Sequence, residues 1–129
     1  HILRCNLEVG SRNDKQGNVL LNLARDGGIY TLTVLDNGAP FELNVFDKLG
    51  RERVTTHSDS GSGIGFMQTF STLRACDGSI VITEFESGLP FTKSVGFRFD
   101  GKGKFVIKSP RAEQIKNALT REDVLVINE

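Results

Sequence analysis

Apolar and polar residues alternate over much of this chain, and between the alternating stretches the spacing switches to that of helices. Asn18-Val-Leu-Leu-Asn-Leu-Ala24 and Ile29-Tyr-Thr-Leu-Thr-Val-Leu35 have the β-branched, apolar content of strands, and Arg25-Asp26-Gly27-Gly28 between them has the turn chemistry of an antiparallel hairpin. Ahead of them, residues 1 to about 10 bring Ile2, Leu3, Leu7 and Val9 near one helical face, so the tail of a helix is expected there, ended by Gly10. A polar loop from Ser11 to Gly17 connects the two.

Residues 39 to 62 are mostly polar, but Phe41, Leu43, Val45, Phe46 and Leu49 interrupt them and predict a short helix around 42 to 49. Arg51 to Ser62 is then an exposed loop, which suits a lid over a site. From Ile64 to Cys76 the spacing of Phe66, Met67, Phe70 and Leu73 is helical, and Asp77-Gly78 closes the helix. Ser79 to Phe85, Lys93 to Phe99 and Lys104 to Lys108 read as three strands joined by hairpins. Ser109 as N-cap with Pro110 at the first helical position opens a last helix to about Leu119, and Val124 to Ile127 reads as a closing strand. The sum is a single α+β domain, a two-layer sandwich of a mixed, mainly antiparallel sheet with helices on one face. Its glycine-containing loops converge between Asp36 and Gly65.

The chain has 129 residues, the size of one domain with a real core. Its 16 acidic and 16 basic residues leave no basic field, so neither nucleic acid nor an anionic membrane is an expected partner. With no apolar run near the roughly 18 residues of a membrane span and no signal-like N-terminus, a cytoplasmic location is expected. Cys5 and Cys76 read as small buried residues in a reducing compartment rather than a bridge. The chain opens at His1 inside an apolar-periodic segment, as a piece of a longer protein would.

Candidate chemistry concentrates in Gly61-Ser-Gly63-Ile-Gly65, ahead of the predicted 64–76 helix. Alternate glycines let backbone N–H groups approach a ligand closely, and a helix N-terminus favours an anion such as phosphate. The glycines follow Thr-His-Ser-Asp-Ser and not a strand, which argues against a dinucleotide fold, and no Gly-Lys-Ser/Thr marks a P-loop.

Asp36-Asn-Gly38-Ala-Pro40 after a strand, followed by Gly61-Ser-Gly63-Ile-Gly65-Phe-Met before a helix, resembles the two glycine boxes of the Bergerat-fold ATPases, the superfamily of gyrase, MutL and the histidine kinases. The short lid and the Gly78-Ser-Ile-Val-Ile that follows the helix are most similar to the histidine kinases, over residues 1 to about 99. The resemblance implies the ATP-binding catalytic domain of a bacterial two-component sensor kinase, using ATP and Mg2+. It would pass the γ-phosphoryl group to a histidine on a separate dimerisation domain, with a response regulator downstream.

By the same resemblance Asp36 accepts a hydrogen bond from the adenine amino group and Gly38 lets the base approach. Gly61, Gly63 and Gly65 wrap the phosphates. Thr56 and its neighbours Thr55 and His57, with Lys48, Arg51 and Arg53, lie in the lid. The family's metal-holding asparagine sits on the helix before the hairpin. One register gives that place to Asn6 and the other to Cys5, a soft and poor ligand for magnesium. Pro40 stands where a glycine is usual and stiffens the lid hinge. A catalytically degenerate docking module and a serine kinase of the anti-sigma type are the alternatives within the superfamily.

Overall fold

A computed structural model of the chain describes residues 2–8, 17–49 and 64–129. Strands β2 (Asn18–Asp26) and β3 (Ile29–Asp36) form the expected hairpin, with Asp26 opposite Ile29. The two turn residues between them, Gly27 and Gly28, have φ of 56° and 85°, the paired positive values of a type I′ turn that glycine adopts without strain.

Residues 2–8 are not a helix tail. They form β1 (Ile2–Glu8), antiparallel to β2 from Ile2 opposite Ala24 to Glu8 opposite Asn18. The same apolar residues also carry a period of two through Leu3, Cys5 and Leu7, and the hydrogen-bonding edge offered by β2 decides between the two periods.

The other predicted elements fall close to expectation. These are α1 (Leu43–Lys48), α2 (Ile64–Ala75), β4 (Ser79–Glu84), β5 (Lys93–Phe99), β6 (Phe105–Ser109), α3 (Ala112–Ala118) and β7 (Leu125–Asn128). Asp77, at φ 54°, turns the chain out of α2, and the Gly78 N–H donates back to the Leu73 carbonyl at 2.7 Å. Cys76, expected to be buried, is exposed at this helix end, where its Sγ donates to the Thr72 and Leu73 carbonyls.

The strands form one mixed sheet in the order β1-β2-β3-β5-β4-β6-β7. Here the structure departs from a run of hairpins. β5 lies between β3 and β4, antiparallel to both, while β6 skips over β4 and pairs with its far side in parallel. The skipping loop is fastened across the start of β4. Gly103 N–H donates to the Asp77 carbonyl at 2.8 Å, and Ile80 N–H donates to the Lys104 carbonyl at 2.8 Å. The Ser79 hydroxyl donates to Asp100 Oδ1 at 2.8 Å and accepts from Lys104 N–H at 3.0 Å.

Burial of Asp100 pushes its carboxyl pKa up, but hydrogen bonds from Lys102 N–H and the Ser79 hydroxyl, with the nearby Arg98 charge, outweigh this and hold it below its ordinary value of 3.8. A carboxyl depressed by folding stabilises the fold above its unfolded pKa, and that stability is lost as pH falls through the folded value. Urea denaturation from pH 7 down to pH 2 is therefore expected to show Asp100→Asn less stable than the parent at neutral pH. The gap should begin to narrow as pH falls below about 4 and close once pH has passed below the depressed folded value.

One hydrophobic cluster joins the layers. Ile80 and Ile82 of β4, Val95 of β5, Phe105 and Ile107 of β6 and Val126 of β7 meet Phe41, Val45, Phe46, Leu49, Leu73, Ala112 and Ile115. The buried side chains of all three helices thus join the strand side chains of one sheet face. Burial of each large side chain there contributes on the order of 1.5–3 kcal/mol.

The segment after residue 100 completes this layer: β6, α3 and β7 make a parallel crossover unit in the same sheet. Ser109 is not the N-cap of α3; Arg111 holds that position without a side-chain cap. Ser109 ends β6, fully buried, its hydroxyl donating to Glu84 Oε1 at 2.7 Å and accepting from Arg111 N–H at 3.1 Å. No helix among the described residues is long and apolar enough to cross a membrane.

Candidate functional site

At one end of the sheet the inward-facing residues change from apolar to charged. β3 pairs Asp36 with Lys93 of β5, and β5 pairs Lys93 with Glu84 of β4, so three ionisable residues stand in a row where Val34, Val95 and Ile82 precede them. Ser109 extends the row to β6 through its bond to Glu84.

Asp36 is the last residue of β3 and governs the loop that follows. Its Oδ1 accepts from the Gly38 N–H at 2.9 Å, closing an Asx turn, and from Lys93 Nζ at 2.7 Å. Lys93 Nζ also donates to the Ala39 carbonyl at 2.6 Å and lies 5.3 Å from the centre of the Phe41 ring. Thr92 adds three fastenings: its N–H donates to the Asp36 carbonyl at 2.9 Å, and its hydroxyl donates to the Gly38 and Asp36 carbonyls, at 2.6 and 3.2 Å. On the other flank the Asn37 side-chain oxygen accepts from Asn18 N–H at 2.8 Å. The loop 36–39 is thereby set from β2 and β5 at once. A Cβ added to Gly38 would come within 3.1 Å of Asp36 Oδ1 and 3.5 Å of Lys93 Nζ, so glycine there keeps the carboxylate uncrowded. The Oδ2 of Asp36 receives no hydrogen bond from the described residues, and the side chain keeps 26% of its exposure.

Arg111 holds the next stretch of backbone. Its Nε and Nη2 form a two-point contact with Glu84, at 2.8 and 2.6 Å, and Nη2 donates to the Phe41 carbonyl at 2.6 Å. The hydrogen bond to Glu84 holds the Arg111 guanidinium above its ordinary pKa, against the opposing effect of burial. A cleft of about 720 Å³ adjoins this pair, bounded by Pro40, Thr92, the Phe85 and Phe91 side of the β4–β5 turn, Ser109 and Arg111. Neither Asp36 nor Gly38 lines it, so it is separate from the Asp36 carboxylate.

Of the site residues expected from the sequence, Asp36 and Gly38 lie together at the end of β3, and Gly65 lies in the first turn of α2. Gly61, Gly63 and Thr56 fall outside the described residues, as does the remainder of the expected lid from Arg51 to Ser62. Lys48 is exposed in the last turn of α1. Asn6 and Cys5 are both in the edge strand β1, opposite Leu20 and Leu21. Residues 2–8 thus form a strand where the resemblance expects the helix that carries a metal-holding asparagine.

Four residues that shape the site, Glu84, Thr92, Lys93 and Arg111, were not singled out in the sequence. Two of them left a signal: Glu84 is in phase with Ile80 and Ile82, and Lys93 with Val95 and Phe97, so each puts a charge on the apolar face of an alternating strand. Comparison with known proteins matches no family model, no curated protein and no solved structure.

Proposed function

We propose that this chain is the ATP-binding catalytic domain of a two-component sensor histidine kinase, built on the Bergerat fold. It would pass the ATP γ-phosphoryl group to a histidine on a separate domain, with a response regulator as the next acceptor. The observation that carries this reading is the state of Asp36: at the end of β3, with one carboxylate oxygen tied down by Gly38 N–H and Lys93, and the other, which no hydrogen bond from the described residues reaches, in position to accept from a purine amino group. Gly38 supports it by leaving room beside the carboxylate. The sheet with helices packed on one face, and Gly65 at the start of α2, agree with the architecture that the two glycine boxes imply.

In this reading Asp36 orients the base, the loop 36–39 supplies a wall fixed by Thr92 and Lys93, and the start of α2 takes the phosphates. Phosphoryl transfer of this kind depends on positioning and charge neutralisation more than on covalent work by the protein. Magnesium accompanies ATP in the family this chain resembles. Asn6 does not fit its ligand position, since that position belongs to a helix and residues 2–8 are a strand.

Calorimetric titration of ATP with magnesium tests the proposal. The parent protein is expected to bind, and Asp36→Asn to bind about 10- to 100-fold more weakly, as loss of a hydrogen bond to a charged acceptor implies. Circular dichroism on both proteins checks that the fold persists. No binding at millimolar ATP, or equal binding by the two proteins, would refute it. The strand at residues 2–8 favours a second reading, a module that binds nucleotide without turning it over. Phosphotransfer by the full-length protein decides between the two.

A further inference from the structure

We infer that Lys93 is a positioning residue that selects for a purine bearing an exocyclic amino group, acting through Asp36. The inference rests on the nucleotide reading above and adds a determinant that no glycine box contains.

A carboxylate offers two equivalent oxygens and, on a freely rotating side chain, can present either to a ligand or to water. Here the two are made unequal. Oδ1 is engaged twice, by Lys93 Nζ at 2.7 Å and by Gly38 N–H at 2.9 Å, which fixes the plane of the group and leaves Oδ2 as the acceptor on offer. Lys93 is itself held: its side chain is only 11% exposed, and Nζ places a second bond on the Ala39 carbonyl beside the Phe41 ring. A ligand that reaches Asp36 therefore meets a fixed acceptor. A base with an amino group at that position gains a bond to it, whereas a base with a carbonyl there sets two acceptors against each other. Thr92 anchors the Gly38 carbonyl independently, so the loop keeps a tie to β5 when Lys93 is changed.

The test compares ATP with ITP, in which a carbonyl replaces the amino group, by calorimetry on the full chain. The parent is expected to favour ATP by about tenfold or more. Lys93→Met, which keeps the buried stem and loses the donor, should weaken ATP about tenfold and change ITP less than about threefold, so that the ratio collapses. Lys93→Arg should restore part of it. Should methionine at this position impair folding, Lys93→Gln gives the same comparison. A role confined to holding the loop would weaken both nucleotides by one factor and leave the ratio intact, and that result overturns the inference. If Asp36→Asn abolishes discrimination while the Lys93 variants retain it, the nucleotide reading stands and the role of Lys93 falls. If the parent binds neither nucleotide, both fall together.

Discussion

Glu84→Ala is expected to destabilise the fold by about 3–5 kcal/mol, a large part of the roughly 5–15 kcal/mol of a domain this size. Glu84 is 7% exposed, and three donor groups converge on it: Arg111 Nε, Arg111 Nη2 and the Ser109 hydroxyl. Removing the carboxylate leaves a guanidinium and a fully buried hydroxyl without their acceptor. It also loosens the Arg111 bond to the Phe41 carbonyl, which holds the start of the α1 segment. The pair adds little stability beyond what apolar residues of the same shape would give; its loss is severe because one partner is stranded. Glu84→Leu combined with Arg111→Met should therefore recover most of the deficit. Urea denaturation of the parent, the single variant and the double variant checks this. A cost below about 1 kcal/mol for Glu84→Ala would show that the contact is solvated and weak.

Arg121→Ala should cost about 2–4 kcal/mol, from the loss of charged hydrogen bonds to buried carbonyls. The Arg121 side chain is 2% exposed and packs 5.2 Å from the centre of the Phe105 ring. Its Nη1 donates to the carbonyls of Leu49 and Phe46, at 2.6 and 3.3 Å, where α1 ends and its last carbonyls lack helical partners. Thr120 beside it donates through N–H and hydroxyl to the Asp47 carboxylate, at 2.7 and 2.8 Å. The variant should lose amide hydrogen-exchange protection in α1 before the β3–β5 core is affected. Asp123 also contacts Arg121 but is 56% exposed, and Asp123→Ala is expected to cost less than about 1 kcal/mol. Equal effects at the two positions would show that the capping of α1 contributes nothing special.

Features written into neighbouring residues could be read from the sequence. The β2–β3 hairpin follows from Asp26-Gly27-Gly28, α1 from the apolar spacing of Val45, Phe46 and Leu49, and the end of α2 from Asp77-Gly78. Asp36 and Gly38 stood out because a turn after an apolar strand has distinctive chemistry. The strand at 2–8 was harder, since seven residues with four apolar positions satisfy both a period of two and a period near 3.6, and only pairing with β2 decides.

The place of β6 is a different kind of problem. Nothing in Lys104 to Lys108 says which edge it joins; the choice is made by Ser79, Asp77 and Asp100, which fasten the preceding loop across β4. Lys93, Thr92 and Arg111 act on backbone carbonyls about 54 to 70 positions away, contacts that leave no local pattern beyond a charge on an apolar face.

The grip of Arg121 on α1 also bears on the order of folding. The bonds to Leu49 and Phe46 close loops of 72 and 75 residues, an entropic cost on the order of 4 kcal/mol that no local contact offsets. The β2–β3 hairpin has its turn and partner within one short stretch and can form early. α1 gains its cap only once β4, β5 and β6 have assembled and the chain has returned through α3. During synthesis, α1 would thus reach its final place among the last parts of the domain, after the polypeptide beyond residue 121 has emerged.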